Sequence, residues 1–276
     1  MPELPEVEHV VRGLRRAVLG RRIIATDLNL PRLLAAPTAP TFKRKLRGAR
    51  IDAINRRGKY ILFELDSRDV LLVHLRMTGK FLCIQQDEPL PPYPHVVFYL
   101  DDDRRLVFSD MRQFGRLRLV RASNLHSLKQ IEELAPEPLT DNFSLDYFLE
   151  TLAGSRRSLK QLLLDQTRVL GLGNIYASEA LFLARINPSK SANSLSKVRA
   201  LRLHQAIRNI IQEAIAAGST LRIDLTDGDS SYIGTSERFW RVYERAGEPC
   251  VNCGTRIKRI VQGARSTYYC PRCQRR

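Results

Sequence analysis

From Pro5 onward, the apolar residues Val7, Val10, Val11, Leu14 and Val18 recur at the three- and four-residue spacing of one helix face. Proline suits a first helical turn and glycine the position after the last, so Pro5 and Gly20 bracket the predicted helix. Pro2, Glu3 and Glu6 then lie at a helix N-terminus, where the backbone dipole is positive. Between residues 50 and 120 the period changes. The runs RIDAI, KYILFEL, VLLVHLR, KFLCI, HVVFYL, RLVFS and GRLRLV are short, rich in β-branched and aromatic residues, and divided by turn clusters such as MTGK and DDDRR. They predict an antiparallel sandwich or barrel. Residues 121–145 are polar, contain Pro136 and Pro138, and read as a linker region. From residue 146 the helical period returns in DYFLETLAG, RRSLKQLLLDQ, NIYASEALFLARI and SLSKVRALRLHQAIRNIIQEAIAAG. Ser194 or Ser196 is expected to cap the last of these and Gly218 to stop it. Residues 219–249 read as loop-rich.

At 276 residues with 43% hydrophobic content, the chain can form about two domains with real cores. No stretch approaches the ~20 apolar residues of a membrane span, and the first residues have neither the basic lead nor the apolar run of a signal peptide. A cytoplasmic protein is expected. A net charge of +16 and a pI near 10.1 point to a polyanionic partner, most commonly nucleic acid. A generic basic protein or one lying on a membrane surface is the blander reading of the same charge. No coiled-coil seam or long exposed apolar stripe is visible, so a monomer is expected.

Four of the five cysteines, Cys250, Cys253, Cys270 and Cys273, form the pattern C-x2-C-x16-C-x2-C. Two close pairs on two tight turns can bring four thiolates round one structural zinc. Two disulfides are the alternative, disfavoured where thiols stay reduced. No acid follows Glu248, while Arg256, Lys258, Arg259, Arg265, Arg272, Arg275 and Arg276 do. A hairpin so charged can lay an arginine, Arg265 foremost, against a phosphate. Cys83, in KFLCI, reads as a small apolar strand residue. In RVLGLGNIYASEALF, Gly171 and Gly173 permit a tight turn and Asn174 is expected to cap the next helix, a place suited to phosphate, with Arg156, Arg157 and Lys160 nearby. A plain helical hairpin in a core explains the same spacing. HLRMTG and MRQFG each put an apolar side chain, Met77 and Phe114, at a turn, the second beside Arg112. Apolar wedges with arginine open base steps, although ordinary core residues give the same pattern. Loss of the initiator Met would leave Pro2 with a free secondary amine, a nucleophile toward carbonyl-type carbon.

PELPEVE, HLRMTG, D-x-R-x-FG, GLGNIYASEALF and the cysteine pattern ending YYCPRCQ occur in that order and span the chain. Together they resemble the bacterial formamidopyrimidine-DNA glycosylases, within the wider formamidopyrimidine/endonuclease VIII family. The resemblance implies an α+β multidomain fold: an N-terminal helix on a two-sheet antiparallel β-sandwich, a helix–two-turns–helix domain and a C-terminal zinc finger. The implied division is 1–130 for the sandwich, 131–145 for a linker, 146–225 for the helical domain and 226–276 for a recognition loop and the finger. It implies excision of oxidised purines, 8-oxoguanine and formamidopyrimidines, from double-stranded DNA, with cleavage of the abasic site by β,δ-elimination through a proline Schiff base. Pro2 matches the nucleophile, Glu3 the general acid/base and Glu6 a second acidic position. Lys59, in RRGKY, matches the lysine of the β-elimination step, and Arg265 the position linked to the second elimination. Met77, Arg112 and Phe114 match the trio that fills the gap left by the flipped base. His74, Arg156, Lys160 and Asn174 match DNA contacts, and the four C-terminal cysteines match ligands of one zinc. Two departures stand out. Tyr93 occupies a DNA-contact place where many relatives carry His, and the stretch 220–249 differs from the usual damage-recognition loop, with Glu244 where Gly is common. The same chemistry on oxidised pyrimidines or abasic sites, and a non-catalytic zinc-containing DNA binder, are the alternative readings.

Overall fold

The computed structural model describes residues 2–217 and 240–275. Met1, Gly218 with its expected role as helix stop, most of the recognition-loop stretch (219–239) and Arg276 lie outside the described residues. The described chain forms two compact units: residues 2–132, and residues 133–217 together with 240–275.

The first unit opens with α1, Leu4–Val18, with Glu3 as its N-cap and Pro5 in its first turn. Gly20 follows with φ +79°, as a chain leaving a helix requires. Val7, Val10, Val11, Leu14 and Val18 are all buried. Each contributes about 1.5–3 kcal/mol when withdrawn from water, which fixes the face α1 presents to the sheets. Three elements follow that hydrophobic periodicity did not predict: β1 (Ile23–Leu28), β2 (Leu34–Ala36) and α2 (Ala39–Leu46). The seven predicted strands are present as β3 (Ile51–Arg57), β4 (Tyr60–Leu65), β5 (Asp69–His74), β6 (Gly79–Gln85), β7 (Pro94–Leu100), β8 (Arg104–Asp110) and β9 (Arg116–Arg121), and the unit ends with a short α3, Lys129–Glu132.

The strands make two sheets, ordered β2-β9-β5-β4-β3 and β1-β7-β8-β6. All pairings are antiparallel except β2 with β9. The inner faces meet in one core with α1 and α2, in which Ile61, Phe63, Leu71 and Val73 face Phe81, Val96, Phe98 and Phe108. Phe63 and Phe81 make an edge-to-face pair with centroids 5.5 Å apart, joining the two sheets. Cys83 is 2% exposed in this core, as its sequence context suggests, and burial pushes its thiol pKa up.

The second unit holds α4 (Leu145–Ala153), α5 (Leu159–Leu163), α6 (Asn174–Leu183) and α7 (Lys197–Ala216), then the hairpin β10 (Lys258–Gln262) and β11 (Arg265–Tyr269). Ser144 and Ser158 cap α4 and α5 by accepting N–H bonds from Tyr147 and Gln161. Helix α5 is shorter than its sequence run, and Ser196 rather than Ser194 is the N-cap of α7. α6 is buried on every side from Tyr176 to Phe182, as befits a central helix. The segment read as a linker is instead packed over much of its length. Phe143 is fully buried and stacked on His204 at 4.9 Å, and Arg208 donates to the carbonyls of Pro138 and Thr140. One aromatic ring among polar neighbours suffices to fasten this stretch to α7.

Candidate active site and nucleic-acid interface

In the sandwich unit the first turn of α1 is closed by its own acid. Glu6 accepts the backbone N–H of Glu3 at 2.9 Å, the reaching-back half of a capping box. Glu3 and Glu6 are 2% and 4% exposed, and Pro2 is buried beside them. Glu6 thereby fixes the plane of the Pro2–Glu3 peptide. Further along α1, Glu8 holds Arg12 at 3.0 Å and Arg56 at 3.2 Å. Burial raises the pKa of Glu8, but the two guanidiniums outweigh it and the net shift is downward. Arg56 also donates to the carbonyl of Gly58 at 3.0 Å. The β3–β4 turn that carries Lys59 is therefore tied to α1, with Gly58 at φ +56° making the bend and Lys59 only 7% exposed.

His74 ends β5 opposite Tyr60, and their rings meet edge to face at 4.8 Å. Its Nδ1 accepts the backbone N–H of Arg76 at 3.0 Å. Burial, then the charges of Arg76 and Lys59, lower its pKa to about 3. At neutral pH the ring is uncharged, with its proton on Nε2, so it can donate one hydrogen bond but carries no charge.

Met77, Arg112 and Phe114 all stand at the surface of this unit. Met77 is 42% exposed and Phe114 48%, which sets aside the core reading for both. The Arg112 guanidinium lies over the Phe114 ring at 4.9 Å. Between them Gln113 has φ +57°, and Arg32 donates to its side chain. Tyr93, half exposed at φ +58°, accepts the backbone N–H of Asp110 through its carbonyl at 3.3 Å.

The helical unit departs from expectation at two residues. Lys160 is not on the surface. It is fully buried, and its ammonium donates to the Asn174 carbonyl at 2.7 Å and the Ser178 hydroxyl at 2.6 Å. Its charge serves the start of α6 from inside. Asn174 is not the cap either. Gly173 is the N-cap, and the Asn174 side chain donates to the carbonyl of Ser266 in β11 at 2.8 Å. Arg156 and Arg265 are exposed, Arg265 at the β10–β11 tip where Gly263 and Ala264 both adopt positive φ. That pair of angles is a type I′ turn, matched to strand twist.

The sulfurs of Cys250, Cys253, Cys270 and Cys273 all lie within 4.8 Å of one another. Cys250–Cys273 and Cys253–Cys270 are separated by 3.9 and 3.5 Å. Zinc with ~2.3 Å bonds to four tetrahedral sulfurs sets them about 3.8 Å apart, whereas a disulfide needs about 2.05 Å. The residues fit one structural zinc and not two disulfides. Backbone N–H groups of Asn252 and Cys273 reach Cys250 and Cys270 at 3.4 Å, supporting the thiolates. Gln274 joins this knuckle to the helices, accepting from the N–H of Cys270 and donating to Ile186.

Glu179 was not singled out by sequence reasoning. It is fully buried on α6 and accepts backbone N–H bonds from Arg241, Val242 and Tyr243 at 2.9–3.0 Å. A lone acid inside the apolar run YASEALF was the available signal, since an unpaired buried carboxylate is too costly to keep.

Three family models match in order: the formamidopyrimidine-DNA glycosylase N-terminal domain over residues 1–117, its H2TH domain over 134–224, and the zinc finger found in FPG and IleRS over 247–276. A formamidopyrimidine-DNA glycosylase of Pelotomaculum thermopropionicum is 42% identical over 275 residues, covering 100% of this chain and 99% of that one. Among solved structures, the Lactococcus lactis Fpg bound to abasic-site DNA is 36% identical, with TM-score 0.90 over 99% of this chain and 100% of that one. A mutant of the same enzyme bound to Fapy-dG-containing DNA is 36% identical, with TM-score 0.92 over the whole of both chains. Among the described residues no helix is long and apolar enough to cross a membrane. The chain belongs to the formamidopyrimidine-DNA glycosylase family.

Proposed function

We propose that this protein is a bifunctional base-excision-repair enzyme, a DNA glycosylase and abasic-site lyase acting on oxidised purines in double-stranded DNA. The observation that carries the reading is the first turn of α1, where Glu6 holds the Glu3 backbone and Pro2, Glu3 and Glu6 are buried together. With Met1 removed, the Pro2 nitrogen gives its lone pair to C1′ of the damaged nucleotide, and the bond to the base breaks with its electron pair. The proton on the newly bonded nitrogen passes to the Glu3 carboxylate, which delivers it to the ring oxygen as the C1′–O4′ bond breaks and the nitrogen lone pair forms the iminium. The resulting iminium has no N–H proton to lose and stays cationic. It acidifies the adjacent sugar C–H, so that loss of that proton expels the 3′ phosphate.

Lys59 and Arg265 serve the first and second eliminations, and His74 and Arg156 hold phosphates. Met77, Arg112 and Phe114 fill the space left by the extruded base, offsetting part of the few kcal/mol that extrusion costs. Tyr93 contacts DNA beside them. Asn174 contributes to phosphate binding at the start of α6, while Lys160 supports that site from the core. The zinc, when bound, fixes the fold of the finger and takes no part in the reaction. The protein acts as a monomer in the cytoplasm, on the nucleoid. Its parts divide near 1–130, 146–225 and 226–276.

Borohydride trapping tests this. The protein should form a covalent adduct with DNA carrying 8-oxoguanine opposite cytosine. Pro2→Gly, or a form retaining Met1, should greatly weaken it, because the first leaves a primary amine whose imine can lose its N–H proton and the second moves the amine one residue away. No adduct with any lesion would leave a DNA binder. Faster release of oxidised thymine than of 8-oxoguanine would move the substrate to pyrimidines.

A further inference from the structure

The turns carrying Met77 and the Arg112–Phe114 pair are separate connections, yet one buried carboxylate fastens both. Asp110, at the end of β8, is fully buried. Its Oδ1 accepts from the hydroxyl of Thr78, 32 residues away in the chain, at 2.5 Å and from the backbone N–H of Arg112 at 3.3 Å. Its Oδ2 accepts from the N–H of Gly115 at 2.7 Å, and its carbonyl oxygen accepts from Gln113 at 3.1 Å and pairs with His95 Nε2 at 2.8 Å. The Thr78 hydroxyl, besides donating to Asp110, accepts the N–H of Arg112 at 3.0 Å. The neighbour of Met77 is thus bonded both to the backbone of Arg112 and to the acid that holds Gly115.

Packing repeats the connection. Gly79 and Asp110 are register partners in the β6–β8 ladder. A Cβ on Gly79 would strike the Leu75 carbonyl oxygen and lie 2.9 Å from the Phe108 ring, and a Cβ on Gly115 would lie 2.6 Å from the same ring atom. Both turns close over one aromatic side chain.

We propose that Thr78 and Asp110 are positioning residues for base extrusion: their hydrogen-bonded latch makes Met77 and the Arg112–Phe114 pair enter a duplex as one preset piece. This rests on the extrusion reading above. Side chains that must be ordered at the moment of binding cost about 0.5–1.5 kcal/mol each, and a wedge set in advance removes that cost from the extruded state. The latch touches no reacting atom, so its loss should slow extrusion while leaving encounter with DNA and the covalent chemistry intact.

The test uses the full-length protein with Thr78→Val, which keeps the side chain's shape and deletes the hydroxyl, and Thr78→Ser, which restores it. One readout is single-turnover release of 8-oxoguanine from duplex at saturating enzyme. A second is the fluorescence of 2-aminopurine placed beside the lesion, which reports unstacking. A third is borohydride trapping on a single-stranded abasic oligonucleotide, where there is no stack to open. Loss of one buried hydrogen bond should lower the duplex rate about tenfold and shrink the fluorescence change in Thr78→Val. Duplex affinity should stay within about twofold and single-strand trapping unchanged. Thr78→Ser should recover both lost signals. Thr78→Val matching wild type in rate and fluorescence would overturn the latch. So would failure of Ser to recover them, or a parallel fall in single-strand trapping, which would mark general damage to the fold. Should wild type trap no substrate at all, the enzymatic reading fails instead, and the fluorescence comparison alone still decides whether Thr78 governs duplex opening.

Discussion

The two units hold their functional side chains still by different means. In the sandwich unit the anchors are buried carboxylates, Glu6 and Asp110, that accept backbone N–H groups beside Pro2 and in the turn that carries Arg112 and Phe114. In the helical unit the exposed Arg265 sits on a hairpin whose base is four clustered cysteine sulfurs, with Gln274 and Glu179 tying that base to α6 and its surroundings. One unit fixes its turns to within a hydrogen bond's tolerance. The other presents charge from a platform that depends on a metal. Chemistry and grip should therefore fail separately.

The harshest way to break that separation is to remove the zinc, by chelation or with Cys270→Ser. Because metal binding supplies the folding energy of such small knuckles, the hairpin should come apart and DNA affinity fall at least about tenfold. The far-ultraviolet β signal of the sandwich should persist through the titration, and its simultaneous loss would show that the units do not stand apart. A milder probe is Glu179→Gln, which turns an amide NH2 toward N–H donors. A cost of about 2–3 kcal/mol is expected from denaturant unfolding. Hydrogen exchange should speed at residues 240–243 and stay unchanged at Glu3 and Gly115. Exchange that rises equally in both places would erase the distinction.

The effect of His74 is absent at neutral pH and appears only in acid. Its pKa is about 3 in the folded protein against about 6.5 when exposed, so between those values the unfolded chain binds the extra proton. The stability due to the neutral ring is complete above pH about 6.5 and is lost as pH falls toward 3. His74→Gln should flatten the stability–pH curve in that window by up to about 1.4 kcal/mol per pH unit. Chemical denaturation at pH 4, 5, 6 and 7 measures it, and an unaltered slope would place the acid sensitivity elsewhere.

Much of this was readable from residue order. The α1 stripe, the strands from β3 to β9 and the cysteine spacing each carry a strong local period, and the structure contains all of them. Elements β1, β2 and α2 were not readable. The strand IIATDL buries only its first and fourth residues, and LAA is too short to show any period. Partners are what make them strands, β7 for β1 and β9 for β2. Charge misled most at Lys160. Sequence can count an ammonium but not see that a carbonyl and a hydroxyl have enclosed it. Asn174 misled for a related reason, because a cap and a cross-link to Ser266 use the same amide and only the fold chooses between them. Glu179 announced itself only as a lone acid in an apolar run, and Asp110 lies within D-x-R-x-FG without a role of its own, because residue order does not show which N–H groups an acid gathers in a core.

The shared ring of Phe108 has a bearing on how such a protein can be re-engineered. Segments 75–79 and 110–115 meet over one atom of that ring, where neither Gly79 nor Gly115 has room for a methyl group. A chimera that imports one segment from a homologue would set a foreign curve against the resident one. The two should be exchanged only as a pair, together with the phenylalanine between them.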